Sequence, residues 1–214
     1  MDVFFISELK LYYSRTNFKK LNKKIMKILG ISGSLREKSH NTALLKAAQE
    51  LKPENMEIEI YSLKDLPLYN SDLEKPEFPE SVIRFKELIS ESDALLIATP
   101  EYNYSFTGVL KNAIDWASRP SSQSLLKKKP YALMGVSGGM SGTIRSQMHF
   151  RQVAAHLDMT ALNKPEVYIP FGGKKFDEHG NLTDEATRDH LQKFLNAFRE
   201  LIFSVKSEKE ISLN

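Results

Sequence analysis

The sequence contains no cysteine among its 214 residues and only one tryptophan. Without cysteine the chain can form no disulfide, thiolate metal site, iron–sulfur cluster or cysteine nucleophile. Long hydrophobic runs are also missing. The longest aliphatic stretch, residues 94–98, is far shorter than the roughly 20 apolar residues that a membrane-spanning helix needs. We therefore expect a cytoplasmic domain with no membrane partner, with which the absence of cysteine is compatible.

Neither sign of charge is in large excess, since 30 Lys+Arg face 27 Asp+Glu for a net charge of +3. Residues 1–25 hold six basic and two acidic side chains, whereas the rest of the chain is close to neutral. A nucleic-acid-binding domain normally carries a basic stripe on its folded face, and the sequence shows none. Residues 1–25 match neither a secretory signal nor a regular amphipathic helix. We expect them to be a loosely ordered N-terminal extension.

From residue 26 onward, strand-like and helix-like segments alternate. Strands are predicted at 26–31, 56–61, 94–98, 131–136 and, as a broken strand, 159–162 with 167–169. Helices are predicted at 41–51, 82–89, 110–117 and about 142–157, and in a last segment that Thr183 and two acidic residues cap. Five strands alternating with five helices predict an α/β domain over 26–206 with a parallel sheet covered on both faces, followed by a tail at 207–214.

Ligands of such sheets bind outside the carboxyl ends of the strands, which directs attention to the loops 32–41, 99–107 and 137–142. The first loop offers hydroxyl groups, one guanidinium and a following helix N-terminus, a combination typical of a phosphate monoester site. It is neither G-x-G-x-x-G nor a nucleoside triphosphate loop. The alternative is that a polar residue here only caps the helix. The candidate phosphate ligands are Ser34, Arg36, Ser39, Asn41 and Thr42.

The second loop combines aromatic rings with amide groups, as a flat hydrogen-bonding ring system requires. The third contains Gly135-Val136-Ser137-Gly138-Gly139, which matches the G-x-S-x-G pattern of serine hydrolases. A hydrolase would need an acid and a histidine, for which Asp158 or Asp177 and His179 or His190 are available. No HGGG-type oxyanion segment accompanies them.

His149 and His156 lie seven residues apart on one predicted helix and hence on one face. No carboxylate or third histidine completes a metal site beside them. We therefore predict no metal.

Five segments between Lys27 and about Phe203 carry longer motifs. They are Gly33-Ser34-Leu35-Arg36-x-x-Ser39-x-Asn41, Pro67-Leu68-Tyr69, Thr99-Pro100-Glu101-Tyr102-Asn103-Tyr104-Ser105, Gly108-x-Leu110-Lys111-Asn112-Ala113-Ile114-Asp115-Trp116 and Asn163-Lys164-Pro165-Glu166. These segments resemble the NAD(P)H-dependent FMN reductase family, specifically its quinone-, chromate- and azo-dye-reducing members. The resemblance implies a flavodoxin-like fold with strand order 2-1-3-4-5, non-covalently bound FMN, NADPH or NADH as co-substrate, and homodimers or homotetramers.

The same resemblance assigns the loops to parts of FMN. It implies that the first loop binds the phosphate, that the second lies along the isoalloxazine and that the third lies at its pyrimidine edge. Arg145 and Glu166 resemble charged positions near a tetramer contact, where Met148 replaces the tyrosine of some relatives. The implied isoalloxazine residues are Pro100, Glu101, Tyr102 and Asn103, and those at the pyrimidine edge are Ser137, Gly138 and Gly139.

The implied reaction is a ping-pong transfer of hydride from NAD(P)H through FMN to quinones, azo compounds, flavins or metal oxyanions. Because the flavin carries that chemistry, no side chain is predicted to be catalytic. A flavodoxin-type electron carrier is the alternative within the flavin interpretation. Carriers are usually strongly acidic for docking, so the near-neutral body favours the enzyme.

Overall fold

The structure is a computed structural model that describes the backbone of residues 25–212, so residues 1–24 of the predicted extension lie outside the described residues. Strands and helices alternate along the described chain, as the sequence predicts. The strands are β1 (Met26–Ser32), β2 (Met56–Tyr61), β3 (Ala94–Ala98), β4 (Pro130–Val136), β5 (Thr160–Ala161) and β6 (Val167–Ile169). The helices are α1 (His40–Leu51), α2 (Glu80–Glu91), α3 (Gly108–Ala117), α4 (Ile144–His156) and α5 (Glu185–Ser212).

All strands pair in parallel, and the sheet order is β2-β1-β3-β4-β5. β6 also pairs with β4, farther along it: Pro130 lies beside Thr160 of β5, and Met134 lies beside Val167 of β6. The predicted broken strand is therefore confirmed as two short pieces on one edge of β4. The predicted flavodoxin-like order is confirmed as well.

The core lies in two layers, one on each face of the sheet. On one face α1 and α5 pack against the sheet, and on the other α2, α3 and α4 do so. β3 supplies Leu96 to the first layer and Leu95 and Ile97 to the second, and all of its residues are fully buried. A strand covered on both faces gains free energy from every apolar side chain, roughly 1.5–3 kcal/mol for each large one. This double burial explains the continuous apolar run at 94–98.

The last helix differs from its prediction in two details. Its cap is Asp184 rather than Thr183, because Asp184 Oδ1 accepts hydrogen bonds from the Thr187 main-chain N–H at 3.0 Å and from the Thr187 hydroxyl at 2.5 Å. These bonds, with help from Lys175, lower the pKa of Asp184 to about 2. The helix also runs past the predicted boundary at 206, to Ser212. Across residues 25–212, no helix combines the length and the apolar character that crossing a bilayer demands.

Candidate functional site

The three loops meet at the carboxyl edge of the sheet. The Gly33 N–H donates to the Ala98 carbonyl at 2.8 Å, and the Thr107 hydroxyl donates to the Gly33 carbonyl at 2.7 Å, so the first loop is joined to the second. Between these two loops lies an open cleft of about 510 Å³. Its lining residues are Gly33, Ser34, Leu35, Arg36, Tyr102, Thr107, Gly108 and Val109.

The first loop is folded around hydroxyl groups. Ser39 is the N-cap of α1 and accepts from the Thr42 N–H at 3.4 Å, while the Thr42 hydroxyl donates to Ser32 Oγ at 2.9 Å. Ser34 Oγ accepts from the Arg36 N–H at 3.4 Å. The Arg36 side chain is exposed at the cleft, and the described residues provide no ion-pair partner for it. A free guanidinium beside a helix N-terminus is an arrangement that attracts an anion.

Asn41 has a different role from the other first-loop residues. Its side chain is buried, with Nδ2 donating to the Val136 carbonyl at 3.0 Å and Oδ1 accepting from the Val136 N–H at 3.0 Å. The registered pairing of β3 with β4 ends at Met134, so this amide takes the position that a neighbouring strand would occupy. Asn41 thereby joins the first loop to the third.

The second loop makes a tight turn with strained backbone. Tyr102 and Ser105 exchange two main-chain hydrogen bonds of 3.0 Å, and the residues between them, Asn103 and Tyr104, have φ of 49° and 67°. Positive φ at both central positions is the signature of a type I′ turn, which asparagine tolerates far better than tyrosine. The turn leaves Tyr102 and Tyr104 50% and 67% exposed.

Glu101 points away from solvent, towards α4. Its side chain is only 6% exposed, and Oε1 lies 2.5 Å from Nη2 and 2.6 Å from Nε of Arg145. Oε2 accepts from the main-chain N–H groups of Arg145 at 3.0 Å and of Ser146 at 3.3 Å. The guanidinium of Arg145 in turn lies 3.9 Å from the centre of the Tyr104 ring.

The third loop uses its small residues for separate purposes. A Cβ on Gly135 would lie 2.0 Å from Thr143 Oγ1, so this glycine makes room for Thr143. The Ser137 hydroxyl donates to the Gly139 carbonyl at 3.0 Å and accepts from the Gly142 N–H at 3.1 Å. A Cβ on Gly138 or Gly139 would meet no atom within 4 Å. These two glycines therefore leave open space in front of the loop.

These contacts account for the G-x-S-x-G pattern without a hydrolase. His190 contacts the Glu166 carbonyl at 2.6 Å, Asp158 pairs with Lys128 at 3.0 Å, and Asp177 accepts from the main chain of His179 at 2.9 Å. Within residues 25–212 no histidine is hydrogen-bonded to Ser137, so the serine–histidine–acid arrangement of a hydrolase is not formed.

The two histidines of α4 contact different parts of the molecule. His149 Nδ1 lies 3.1 Å from Ser105 Oγ and so contacts the second loop, whereas His156 lines a different cleft between α3 and α4. In the part of the chain that the structure describes, no three histidine or carboxylate groups are placed to hold a metal ion.

Sequence reasoning missed Thr107 and the partners of Glu101. Thr107 caps α3 through its hydroxyl, which accepts from the Leu110 N–H at 3.3 Å while donating to the first loop. A threonine directly before a helical stripe is a recognisable start signal, so this residue could have been found. Arg145 and Ser146 lie more than forty residues from Glu101, and no local pattern reports such a contact.

Comparison with known proteins identifies the family of this chain. Residues 26–174 match the family described as NADPH-dependent FMN reductase. The chain is 51% identical over 174 residues to an NAD(P)H-dependent FMN reductase of Pseudomonas aeruginosa, covering 81% of this chain and 94% of that protein. It is 44% identical to a 2-hydroxy-1,4-benzoquinone reductase of a Burkholderia species, with coverage of 81% and 94%.

A solved structure supports the same assignment. The flavoenzyme NAD(P)H:(acceptor) oxidoreductase FerB from Paracoccus denitrificans superposes with a TM-score of 0.77 at 40% identity, covering 83% of this chain and 97% of that one. Both the fold and the sequence are therefore shared over nearly the full length of these relatives. The chain belongs to the NADPH-dependent FMN reductase family and is an oxidoreductase of the NAD(P)H-dependent class.

Proposed function

We propose that this protein binds FMN without a covalent bond, reduces it with NAD(P)H and passes the electrons to quinones. The observation that carries the proposal is the convergence of a phosphate-type loop, an aromatic turn and an open glycine loop around one edge of the sheet. Relatives named as an FMN reductase and a benzoquinone reductase support the same activity.

The residues present fit FMN in both its polar and its flat part. The phosphate would lie at the N-terminus of α1, where first-turn amides lack intrahelical partners and Arg36 adds a positive charge. The hydroxyl groups of Ser34, Ser39 and Thr42, which fold this loop, would lie beside it. The isoalloxazine would lie between the Tyr102 turn and the open surface at Gly138 and Gly139.

Bound FMN supplies the hydride-transfer chemistry, and the chain supplies binding and orientation. In this proposal, main-chain amides of the second and third loops would stabilise negative charge on the ring. No side chain of these loops is needed as an acid or base, and we assign none as catalytic.

Exposed apolar side chains at the cleft favour flat organic acceptors. Leu35 and Tyr102 line the cleft and are 51% and 50% exposed. Tyr104 and Met140, in the second and third loops, are 67% and 81% exposed. Exposed apolar groups of this kind are typical of a binding site for a flat, largely apolar molecule. We propose quinones as the acceptors and keep azo compounds, flavins and metal oxyanions as further candidates. NAD(P)H and the acceptor would bind in turn at the same open face of the flavin, and this alternation is the ping-pong order.

Assembly and location stay predictions. A homodimer or homotetramer and a cytoplasmic location are expected from the family resemblance and the composition. Of the two charged residues near the implied tetramer contact, Arg145 is paired with Glu101, and Glu166 lies 2.6 Å from Lys164. Lys164 and Tyr168 lower the pKa of Glu166 through hydrogen bonds.

A visible spectrum of the purified protein tests the proposed function directly. We expect flavin absorption that bleaches on anaerobic addition of NADPH or NADH and returns when a quinone is added. A flavin band that neither nucleotide bleaches would identify an electron carrier. A protein that takes up no FMN would contradict the proposal altogether.

Arg36→Ala is expected to weaken FMN binding by roughly ten- to a hundredfold, because a hydrogen bond to a charged group contributes about 1.5–3 kcal/mol. Riboflavin lacks the phosphate, so its affinity should not change. Fluorescence titration of both flavins measures the difference. Arg84→Ala is the matched control, since Arg84 is an exposed arginine of α2 whose partner is Glu87 at 3.5 Å. Equal FMN affinity in the Arg36 variant and the control would show that Arg36 does not bind the phosphate.

A further inference from the structure

Helix α4 begins without a cap of its own. Thr143, the residue before it, has a left-handed φ of 73° and makes no side-chain capping hydrogen bond. Gly142 before it also has a positive φ, of 56°. The first N–H groups of a helix have no partner within the helix and must find acceptors elsewhere. The Ile144 N–H donates to the Ser141 carbonyl at 3.1 Å. The N–H groups of Arg145 and Ser146 still need acceptors from outside the helix.

Glu101 of the second loop supplies the missing acceptor. Its Oε2 receives both of these N–H groups, and its negative charge lies at the positive end of the helix dipole. Its Oε1 binds the guanidinium of Arg145 through two nitrogens. A carboxylate that is 94% buried is costly unless it is fully hydrogen-bonded, and here four donors satisfy it.

Other contacts join the same two segments. The Ser146 hydroxyl donates to the Pro100 carbonyl at 2.8 Å and lies 3.1 Å from Thr99 Oγ1. Arg145, held by Glu101, covers one face of Tyr104 in the strained turn. The second loop and the start of α4, which directly follows the third loop, are therefore held together as one unit.

We infer that Glu101 is a positioning residue rather than a flavin ligand. Its carboxylate fixes the second loop relative to the third and so sets the spacing of the two surfaces between which the isoalloxazine would lie. This inference rests on the proposed FMN site. It concerns only the ring, because the phosphate loop is attached to the rest of the site through Thr107 and Asn41, not through Glu101.

Riboflavin has the ring of FMN but no phosphate, so comparing the two ligands tests the inference. Glu101→Gln keeps the size of the side chain but removes the charge and places an NH₂ group against N–H donors. We expect the affinities for FMN and for riboflavin to fall by the same factor, roughly tenfold or more. Arg36→Ala is the contrasting variant, since it should weaken FMN alone. At saturating FMN, the absorption and circular dichroism bands of the flavin in the Glu101 variant should differ from those of the wild type.

Glu87→Gln is the matched control, because Glu87 is an exposed carboxylate, 54% exposed, that also pairs with an arginine. It should leave both affinities and the flavin bands unchanged. If Glu101→Gln behaves like this control, or weakens FMN but not riboflavin, the positioning role is wrong while the proposed function stands. Wild-type protein that binds neither flavin would overturn both.

A second variant guards against a folding defect. Arg145→Met keeps the carboxylate over the helix N–H groups but removes the two guanidinium contacts and the cover over Tyr104. It should weaken FMN and riboflavin equally, by a smaller factor than Glu101→Gln. Thermal unfolding of the flavin-free proteins shows whether each variant is folded at the titration temperature. Unchanged affinity for both flavins in a folded Arg145→Met protein would contradict the inference.

Discussion

Gly135→Ala is expected to destabilise the protein by about 3 kcal/mol or more and to reduce flavin binding with it. The added Cβ would lie 2.0 Å from Thr143 Oγ1 and 2.4 Å from the Thr99 main-chain oxygen. Neither atom can move easily, because Thr143 is fully buried and Thr99 follows the central strand β3. Overpacking of a tight core typically costs 1–3 kcal/mol and more where backbone must shift. In a chain of this size that loss corresponds to roughly 6–12 °C in the unfolding midpoint.

Gly138→Ala and Gly139→Ala are the matched controls for this experiment. Both glycines have open space where the new methyl group would lie, and neither has a positive φ. We expect their free energies of unfolding to stay within about 0.5 kcal/mol of the wild type. Their FMN affinity should fall, because the methyl group would occupy the space proposed for the ring. A Gly135→Ala protein as stable as these two would show that Thr143 does not pack against Gly135 as described.

The contrast among these three glycines shows what a sequence pattern can and cannot report. G-x-S-x-G is visible in the sequence as one motif, yet its residues have different structural roles. Gly135 makes room for Thr143, and Ser137 closes the turn through its hydroxyl group. Gly138 and Gly139 face open space. The pattern alone is also consistent with a nucleophile, and the positions of the histidines show that residues 25–212 form no serine–histidine–acid arrangement.

The strand order was implied only by the family resemblance, whereas the parallel sheet and the core were predictable for a physical reason. A strand covered on both faces must be apolar throughout, as β3 is, and strands that alternate with helices form parallel sheets. Both properties are local in the sequence. The long motif at 108–116 mixes such local signals with tertiary ones: Asn112 Nδ2 and Trp116 Nε1 both donate to the Pro67 carbonyl at 2.8 Å, which fastens the loop 66–79 to α3.

The part of the site that could not be predicted depends on contacts between distant residues. The family motif places Glu101 along the isoalloxazine, but no local pattern reports that its side chain is turned towards α4. The left-handed conformations of Tyr104 and Thr143 were equally hidden, since neither residue type favours positive φ. Such strain is maintained only where the surrounding structure holds it, and here it occurs beside the proposed ring site.

The largest effect after Gly135 is expected at Asn41, whose amide joins the phosphate loop to the third loop. Asn41→Ala would leave the Val136 N–H and carbonyl without these partners in a buried place. An unsatisfied buried group costs about 1–3 kcal/mol, so two predict a loss of roughly 2–6 kcal/mol in the free energy of unfolding. Urea unfolding of the flavin-free protein measures it. FMN affinity should fall as well, because the two loops lose their connection.

Gln49→Ala is the appropriate control, since Gln49 lies on the same helix and donates to the Ile58 carbonyl at 2.7 Å. It removes one hydrogen bond to a strand but contacts none of the three loops. We expect a loss of about 1 kcal/mol and unchanged FMN affinity. If both variants weaken FMN equally, the effect of Asn41 arises from helix stability and not from the connection between loops.

Asn41→Asp isolates the donor half of this amide without changing its shape. One carboxylate oxygen can still accept from the Val136 N–H, but the other would face the Val136 carbonyl with no proton between them. Protonation restores a donor, so the folded state should raise the pKa of this carboxyl above its unfolded value.

The stability of the Asn41→Asp protein should therefore depend on pH. It should be nearest to wild-type stability below about pH 4 and should fall as the pH rises through the raised pKa. Urea unfolding of wild type and variant between pH 4 and 8 tests this, with the difference in unfolding free energy expected to grow with pH. A difference that stays constant would mean that the Asn41 Nδ2 donor contributes nothing, and that the loops are joined only through the bond to the Val136 N–H.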